Sequence, residues 1–144
     1  MARAPWGGRT FLADTSAWMR FRRVGGDWDE AMRLGQIATC ELATFELLVT
    51  ARDGADFDRQ SANLDKLPLA PVTPDVLRAA RDAFRELAHR HPLFHRSVTV
   101  PDLIIAAAAA AAGFGVLHYD ADFDTLAEVL PFESRWLAPR GSLD

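Results

Sequence analysis

The sequence predicts an α/β fold of three layers, a central and mostly parallel β-sheet flanked by helices. Two observations predict it. Short apolar runs alternate with helical segments along the chain, which is the pattern of strand–helix–strand crossovers. Two of those runs end in an aspartate, at Asp14 and Asp120, as strands do whose carboxyl ends open onto a ligand site. At 144 residues the length is that of one domain, and residues 1–144 are read as a single unit without repeat or linker.

The elements follow in order. "RTFLADTS" (9–16) is a first strand closed by Asp14, and a helix from about Ala17 to Arg23 is stopped by Gly25-Gly26. "DWDEAMRLG" is helical, with acids in its first turn and a terminal glycine, as the helix dipole and C-cap rules prefer. "QIATC" is a second strand, "ELATFELLVTAR" a helix, "DFDRQSANLDKL" a more polar helix and "LPLAPV" a short strand bounded by prolines. "TPDVLRAARDAFRELAHRH" opens on a threonine cap with proline at the first helical position. "PLFHRSVTV" is a loop rich in histidine and arginine, and "PDLIIAAAAAAAGF" a helix so apolar on every side that it must be buried. "GVLHYD" is the next strand, "DFDTLAEV" a short helix, and "ESRWLAP" an edge strand or tail.

Composition excludes several classes. One cysteine, Cys40, forbids an internal disulfide and fits a reducing cytoplasm. The arginine-bearing N-terminus has no apolar stretch of a secretory signal. The most apolar segment, Leu103 to Leu117, falls short of the ~20 residues that span a bilayer, so a soluble chain without membrane contact is expected. Net charge is −4, against a nucleic-acid partner by sum but not by distribution. Basic residues gather in "MRFRR" (19–23) and "HRHPLFHR" (89–96).

The acids carry the chemistry. Carboxyl ends of parallel strands share one edge, and crossover helices return antiparallel, so their N-terminal halves overlie it. Asp14 and Asp120 end strands; Asp102 lies in the first turn of the apolar helix and Glu46 in the first half of another. Four acids distant in sequence are expected to converge. Leu42, Phe45, Glu46 and Val49 share an i, i+3, i+4, i+7 stripe, which places Glu46 on a face expected to meet the core. A carboxylate there is costly unless paired or bound to a cation.

Singly, each acid has an ordinary explanation. Thr99-x-x-Asp102 is a capping box, Asp14 can cap the first helix and Asp122 the short one. Asp124 reads as a solvated first-turn acid. Caps do not explain convergence. Clustered carboxylates repel unless a cation neutralises them, and an all-oxygen donor set selects Mg²⁺ or Mn²⁺. Sites of this kind hydrolyse phosphodiesters.

Other chemistries fit poorly. An EF-hand begun at Asp120 would need glycine and glutamate where Thr125 and Pro131 stand. A haloacid-dehalogenase-type phosphatase needs a small β-branched residue where Asp124 stands, and a receiver domain needs a lysine that Lys66 cannot supply. His91 and His95 have zinc spacing but flank Pro92 in a loop. Cys40 lacks a neighbouring base, and no phosphate-binding glycine loop occurs.

On "LADTSAW", "IATCELATFELLVTAR", "VPDLIIAAAAAAAGFGVLHYDADFD" and the closing "WLAPRGS", the chain resembles PIN-domain ribonucleases, specifically VapC-type toxins of toxin–antitoxin pairs. The resemblance spans nearly the whole chain, and its specificity lies in the order and spacing of the motifs. It implies a Mg²⁺- or Mn²⁺-dependent endoribonuclease that leaves 5′-phosphate and 3′-hydroxyl ends. It further implies a homodimer and inhibition by a VapB-type antitoxin, whose C-terminal segment often inserts an arginine into the acidic pocket. The substrate would be RNA, with transfer RNA or a ribosomal RNA loop as the family's precedents.

Carried onto this chain, the catalytic acids are Asp14, Glu46, Asp102 and Asp120. The metal ligands are Asp14, Asp102, Asp120 and, directly or through water, Asp122. Ser16 would orient Asp14 or a water. Arg20, Arg22, Arg23 and Arg96 are candidates for RNA phosphates at the rim. Two alternatives stand beside this reading, a non-catalytic PIN-like module that binds RNA or a partner, and another metal-dependent phosphoesterase.

Overall fold

The computed structural model describes residues 5–144. Four strands form the sheet: β1 (Phe11–Ala13), β2 (Ile37–Ala38), β3 (Gly115–His118) and β4 (Ser134–Trp136). Their spatial order is β2-β1-β3-β4 and every pairing is parallel. The closing segment is thus an edge strand, and the sheet is wholly parallel among the described residues. The chain leaves β1 toward β2 on one side and returns to β3 on the other. That reversal at β1 makes its carboxyl end the switch point where open α/β sheets bind ligands.

Alternation along the strands builds two cores. Leu12 and Val116 face a layer made by α3 (Glu41–Leu48), α5 (Pro74–Arg90), α6 (Val100–Ala112) and α7 (Asp122–Leu126). Phe11, Ala13 and Leu117 face Ala17 of α1 (Thr15–Trp18) and Trp28 and Ala31 of α2 (Gly26–Arg33). A polar helix, α4 (Gly54–Leu64), packs beside α3. Small side chains let the middle of α6 sink into the core, with Leu103 and Ile105 to Ala109 buried. Gly113 ends it in the left-handed conformation at φ 75°. No helix of the described residues is long and apolar enough to cross a membrane.

Four expectations are corrected. The first helix begins at Thr15, capped by Asp14, and breaks after Trp18; Arg20 sits at φ −126° before a 3₁₀ turn over Phe21–Arg23. The helix bearing Glu46 stops at Leu48, where the Thr50 hydroxyl donates to the Leu47 carbonyl at 2.7 Å. "LPLAPV" makes one bridge, Thr39 to Leu69, rather than a strand. Thr39 N–H donates to Pro68 and Ala70 N–H to Thr39, but Pro68 and Pro71 have no N–H to extend the ladder. The loop before α6 contains a 3₁₀ turn over Phe94–Ser97.

Gly115 opens β3 in the narrowest space of the sheet. A Cβ there would lie 2.4 and 2.6 Å from the Phe11 ring and 3.0 Å from the Glu133 carbonyl oxygen. Neither neighbour can yield, since Phe11 is fully buried and the other is backbone. Gly115→Ala is expected to destabilise by about 1–3 kcal/mol, read as a lower urea midpoint at unchanged slope.

Candidate metal centre

Asp14 leaves β1 with its N–H donated to the Leu117 carbonyl at 2.9 Å, which fixes it beside β3. Its Oδ2 accepts the Ser16 amide at 3.0 Å and the Ser16 hydroxyl at 2.6 Å. Ser16 Oγ in turn accepts the Tyr119 N–H at 2.9 Å, so one hydroxyl stitches the ends of β1 and β3 together. The other oxygen, Oδ1, is buried and has no hydrogen-bond partner among the described residues. Capping thus occupies only half of this carboxylate. Burial pushes its pKa up, the Ser16 contacts pull back, and the Asp120 charge adds to the rise.

Glu46 repeats the pattern. Thr15 Oγ1 donates to Oε2 at 3.2 Å, while Oε1 is buried without a partner among the described residues. Partial burial raises its pKa, with a smaller push from Asp14. The expected core-facing stripe is wrong, however. Phe45 is 64% exposed and Val49 83% exposed; Ala43 and Leu48 form the buried side of α3. Glu46 reaches the site from the margin of the helix.

Asp102 sits in the first turn of α6, its N–H donated to Thr99 Oγ1 at 3.2 Å. The predicted capping box is only half made by Asp102. The Thr99 amide instead faces the carboxylate of Asp122 on α7. Asp102 itself contacts Asp122, and its pKa is pushed up to about 8 by burial, then by Asp14 and Asp120. Oxygens of Asp102, Asp120 and Asp122 lie within 4.8 Å of one another, a spacing that can hold a cation. Asp120 Oδ1 accepts the Asp122 N–H at 2.9 Å, which begins α7. Burial raises the Asp122 pKa, reinforced by the Asp120 charge and opposed by the Asp102 contact.

Asp124 is not the free surface acid expected. It is half-exposed, yet Ser134 Oγ donates to its Oδ1 at 2.6 Å and Trp136 Nε1 to its Oδ2 at 2.9 Å. Those bonds, with neighbouring positive charge, hold its pKa low despite partial burial. Sequence reasoning passed over three contributors: Thr15, the Thr99 amide and His118. Thr15 adjoins Asp14, and His118 is a polar residue inside an apolar strand; both were visible signals.

The basic residues stand apart from the acids. Arg20 donates to the Ser16 carbonyl at 3.1 Å and lies 4.7 Å above the Tyr119 ring. Arg22 is exposed beside Phe21, Arg23 donates to the Leu143 carbonyl, and Arg96 is exposed on the 3₁₀ turn before α6. Arg20 is the one joined directly to the acid-bearing turns. His91 and His95 do not face each other as a zinc pair; each ring packs edge-on to a phenylalanine, Phe94 and Phe84.

A parallel sheet with a carboxylate cluster at its switch point is the arrangement of a metal-dependent α/β nuclease. The chain belongs to the PIN-domain family, in its VapC branch: the PIN domain model matches residues 11–129. It is 39% identical over 135 residues to a Mycobacterium tuberculosis protein named Ribonuclease VapC18, covering 92% of this chain and 98% of the relative. It is 34% identical over 136 residues to Ribonuclease VapC51 of the same species, covering 93% and 97%. Among solved structures it superposes on VapBC-5 from M. tuberculosis, a member of the VapBC toxin–antitoxin family, with a TM-score of 0.61 and 25% identity over 89% of this chain and 98% of that one. The fold also matches a DNA-bound VapBC from Salmonella typhimurium, with a TM-score of 0.63 and 18% identity over 89% and 96%.

Proposed function

We propose that the protein is a Mg²⁺- or Mn²⁺-dependent endoribonuclease and the toxin of a type II toxin–antitoxin module, inhibiting translation and growth. The observation that carries the metal centre is the meeting of Asp102, Asp120 and Asp122, supported by two buried, unpartnered carboxylate oxygens on neighbouring acids, Asp14 Oδ1, whose charge Asp102 and Asp120 feel, and Glu46 Oε1, whose acid neighbours Asp14. Buried anions without a partner are costly, and an oxygen-only set is suited to a hard divalent ion. Asp14, Asp102, Asp120 and Asp122 would hold it, and Glu46 completes the catalytic set. When bound, the ion supplies charge neutralisation and an activated water for phosphodiester hydrolysis.

The chain's own residues do the positioning. Ser16 engages Oδ2 of Asp14 and Thr15 engages Oε2 of Glu46, which leaves Oδ1 and Oε1 as the oxygens these acids would offer to an ion. Arg20, Arg22, Arg23 and Arg96 are the cations offered to an RNA backbone, of transfer RNA or a ribosomal loop. Relatives named ribonucleases support RNA as substrate, and neighbours solved as toxin–antitoxin complexes support a VapB-type partner. Uncovered Met19, Phe45 and Val49 are consistent with protein contacts, of an antitoxin or of a homodimer. The lone cysteine accords with the cytoplasm.

The test is cleavage of RNA by the purified protein in Mg²⁺, in EDTA, and after Asp120→Asn. Activity is expected in Mg²⁺ alone, falling to background in the other two. Cleavage surviving both chelation and substitution would mean that the site is elsewhere. A folded, metal-binding protein that cuts no cellular RNA would favour a binding module instead.

A further inference from the structure

His118 lies in the middle of the sheet with no exposed surface, its ring stacked on Phe123 at 5.1 Å and edge-on to Trp136 at 5.1 Å. Both nitrogens are engaged. Nδ1 accepts the backbone N–H of Asp120 at 3.2 Å, and Nε2 lies 2.7 Å from Ser134 Oγ. An acceptor at Nδ1 leaves the proton of a neutral ring on Nε2, which then donates to Ser134. The serine hydroxyl, having accepted, donates onward to Asp124 Oδ1, and Trp136 Nε1 holds Oδ2. Every donor in this chain has one acceptor, and donation runs outward, from the Asp120 amide through the His118 ring and Ser134 to the Asp124 carboxylate.

Resting on the metal-centre reading above, we propose that His118 is a positioning residue. Its Nε2–H tautomer, anchored by Ser134 and Asp124, holds the Asp120 amide so that the carboxylate faces Asp102 and Asp122. Asp120 is then clamped twice, at its own N–H by His118 and at Oδ1 by the Asp122 N–H. The remaining oxygen is left for a cation. Asp124 and Ser134 act on the site through the ring without touching it.

The experiment compares Mn²⁺ affinity in wild type, His118→Asn and His118→Gln, by calorimetry on the full chain. Asparagine can keep an acceptor where Nδ1 stands and loses the link to Ser134. Glutamine can keep a polar group where Nε2 stands and abandons the Asp120 amide. The asparagine variant should bind within about threefold of wild type, and the glutamine variant about tenfold or more weakly, the usual cost of losing a partner that orients a ligand. Equal affinities in the two variants would overturn the proposal, because a merely space-filling histidine predicts that. A second measurement needs no variant: two-bond ¹H–¹⁵N spectra of wild type should place the His118 proton on Nε2, and a proton on Nδ1 would sink the idea. If wild type itself bound no Mn²⁺, the metal centre would fall and the positioning role with it. Wild-type binding with no difference between variants removes His118 alone.

Discussion

Asp102→Asn is expected to abolish RNA cleavage and Mn²⁺ binding while raising the melting temperature of the metal-free protein. Asp102 is buried among three other aspartates, and its ionised form is disfavoured by desolvation first and by Asp14 and Asp120 next. Asparagine fills nearly the same space without that charge, and its amide can still meet Asp122. A fold held only by hydrophobic contact would lose stability or stay unchanged on such a substitution. Here a few degrees are expected at pH 8, since about 1 kcal/mol shifts a chain of this length by roughly 2–4 °C. The opposite signs of the two readouts are the signature of a site that trades stability for function. A thermal melt in EDTA and a Mn²⁺ titration check it, and a variant that melts lower yet binds metal would refute both halves.

The second large effect is on pH. On the proposed metal centre, ion binding needs the Asp102 carboxylate, whose folded pKa is pushed up to about 8. Below that value each bound ion must displace a proton, so affinity should rise about tenfold per pH unit up to pH 8 and level off above. Calorimetry at pH 7 in buffers of differing ionisation enthalpy should count close to one proton released per ion.

Stability of the metal-free protein should move in the opposite direction. A carboxyl whose folded pKa exceeds its unfolded value of 3.8 makes the native state bind the extra proton between the two. Stability is therefore lost as pH rises toward 8. His118, buried and lowered from 6.5 to about 4 by desolvation, acts with the reverse sign. It adds stability as pH rises through that interval and nothing above it. The net fall should thus be steepest between pH 6.5 and 8, and saturating Mn²⁺ should flatten it.

Much of this was legible in the sequence because the signals are local. Thr73-Pro74 and Thr99 with Pro101 mark the starts of α5 and α6, and Gly113 marks the end of the latter. Each asks only for the backbone's own hydrogen-bonding needs. Asp14 and Asp120 were found because strand ends share an edge. What failed depended on distant partners. The stripe of Phe45 and Val49 has the spacing of a buried face, but spacing does not record that no other element of the described chain covers it. Asp124 looked free because Ser134 and Trp136, which bind it, join the sheet ten and twelve residues later. His118 was passed over because its second bond, to Ser134, exists only once β4 is docked.

The order of the strands sets a limit on when the protein can act. The acids of the proposed site come from residues 14, 46, 102, 120 and 122, and β3 must slot against β1 across a gap of about a hundred residues before Asp14 and Asp120 share one edge. Pairings of such long sequence separation are also slow to form. Until that docking is complete, Asp14 and Asp120 stay apart and the proposed carboxylate site does not yet exist.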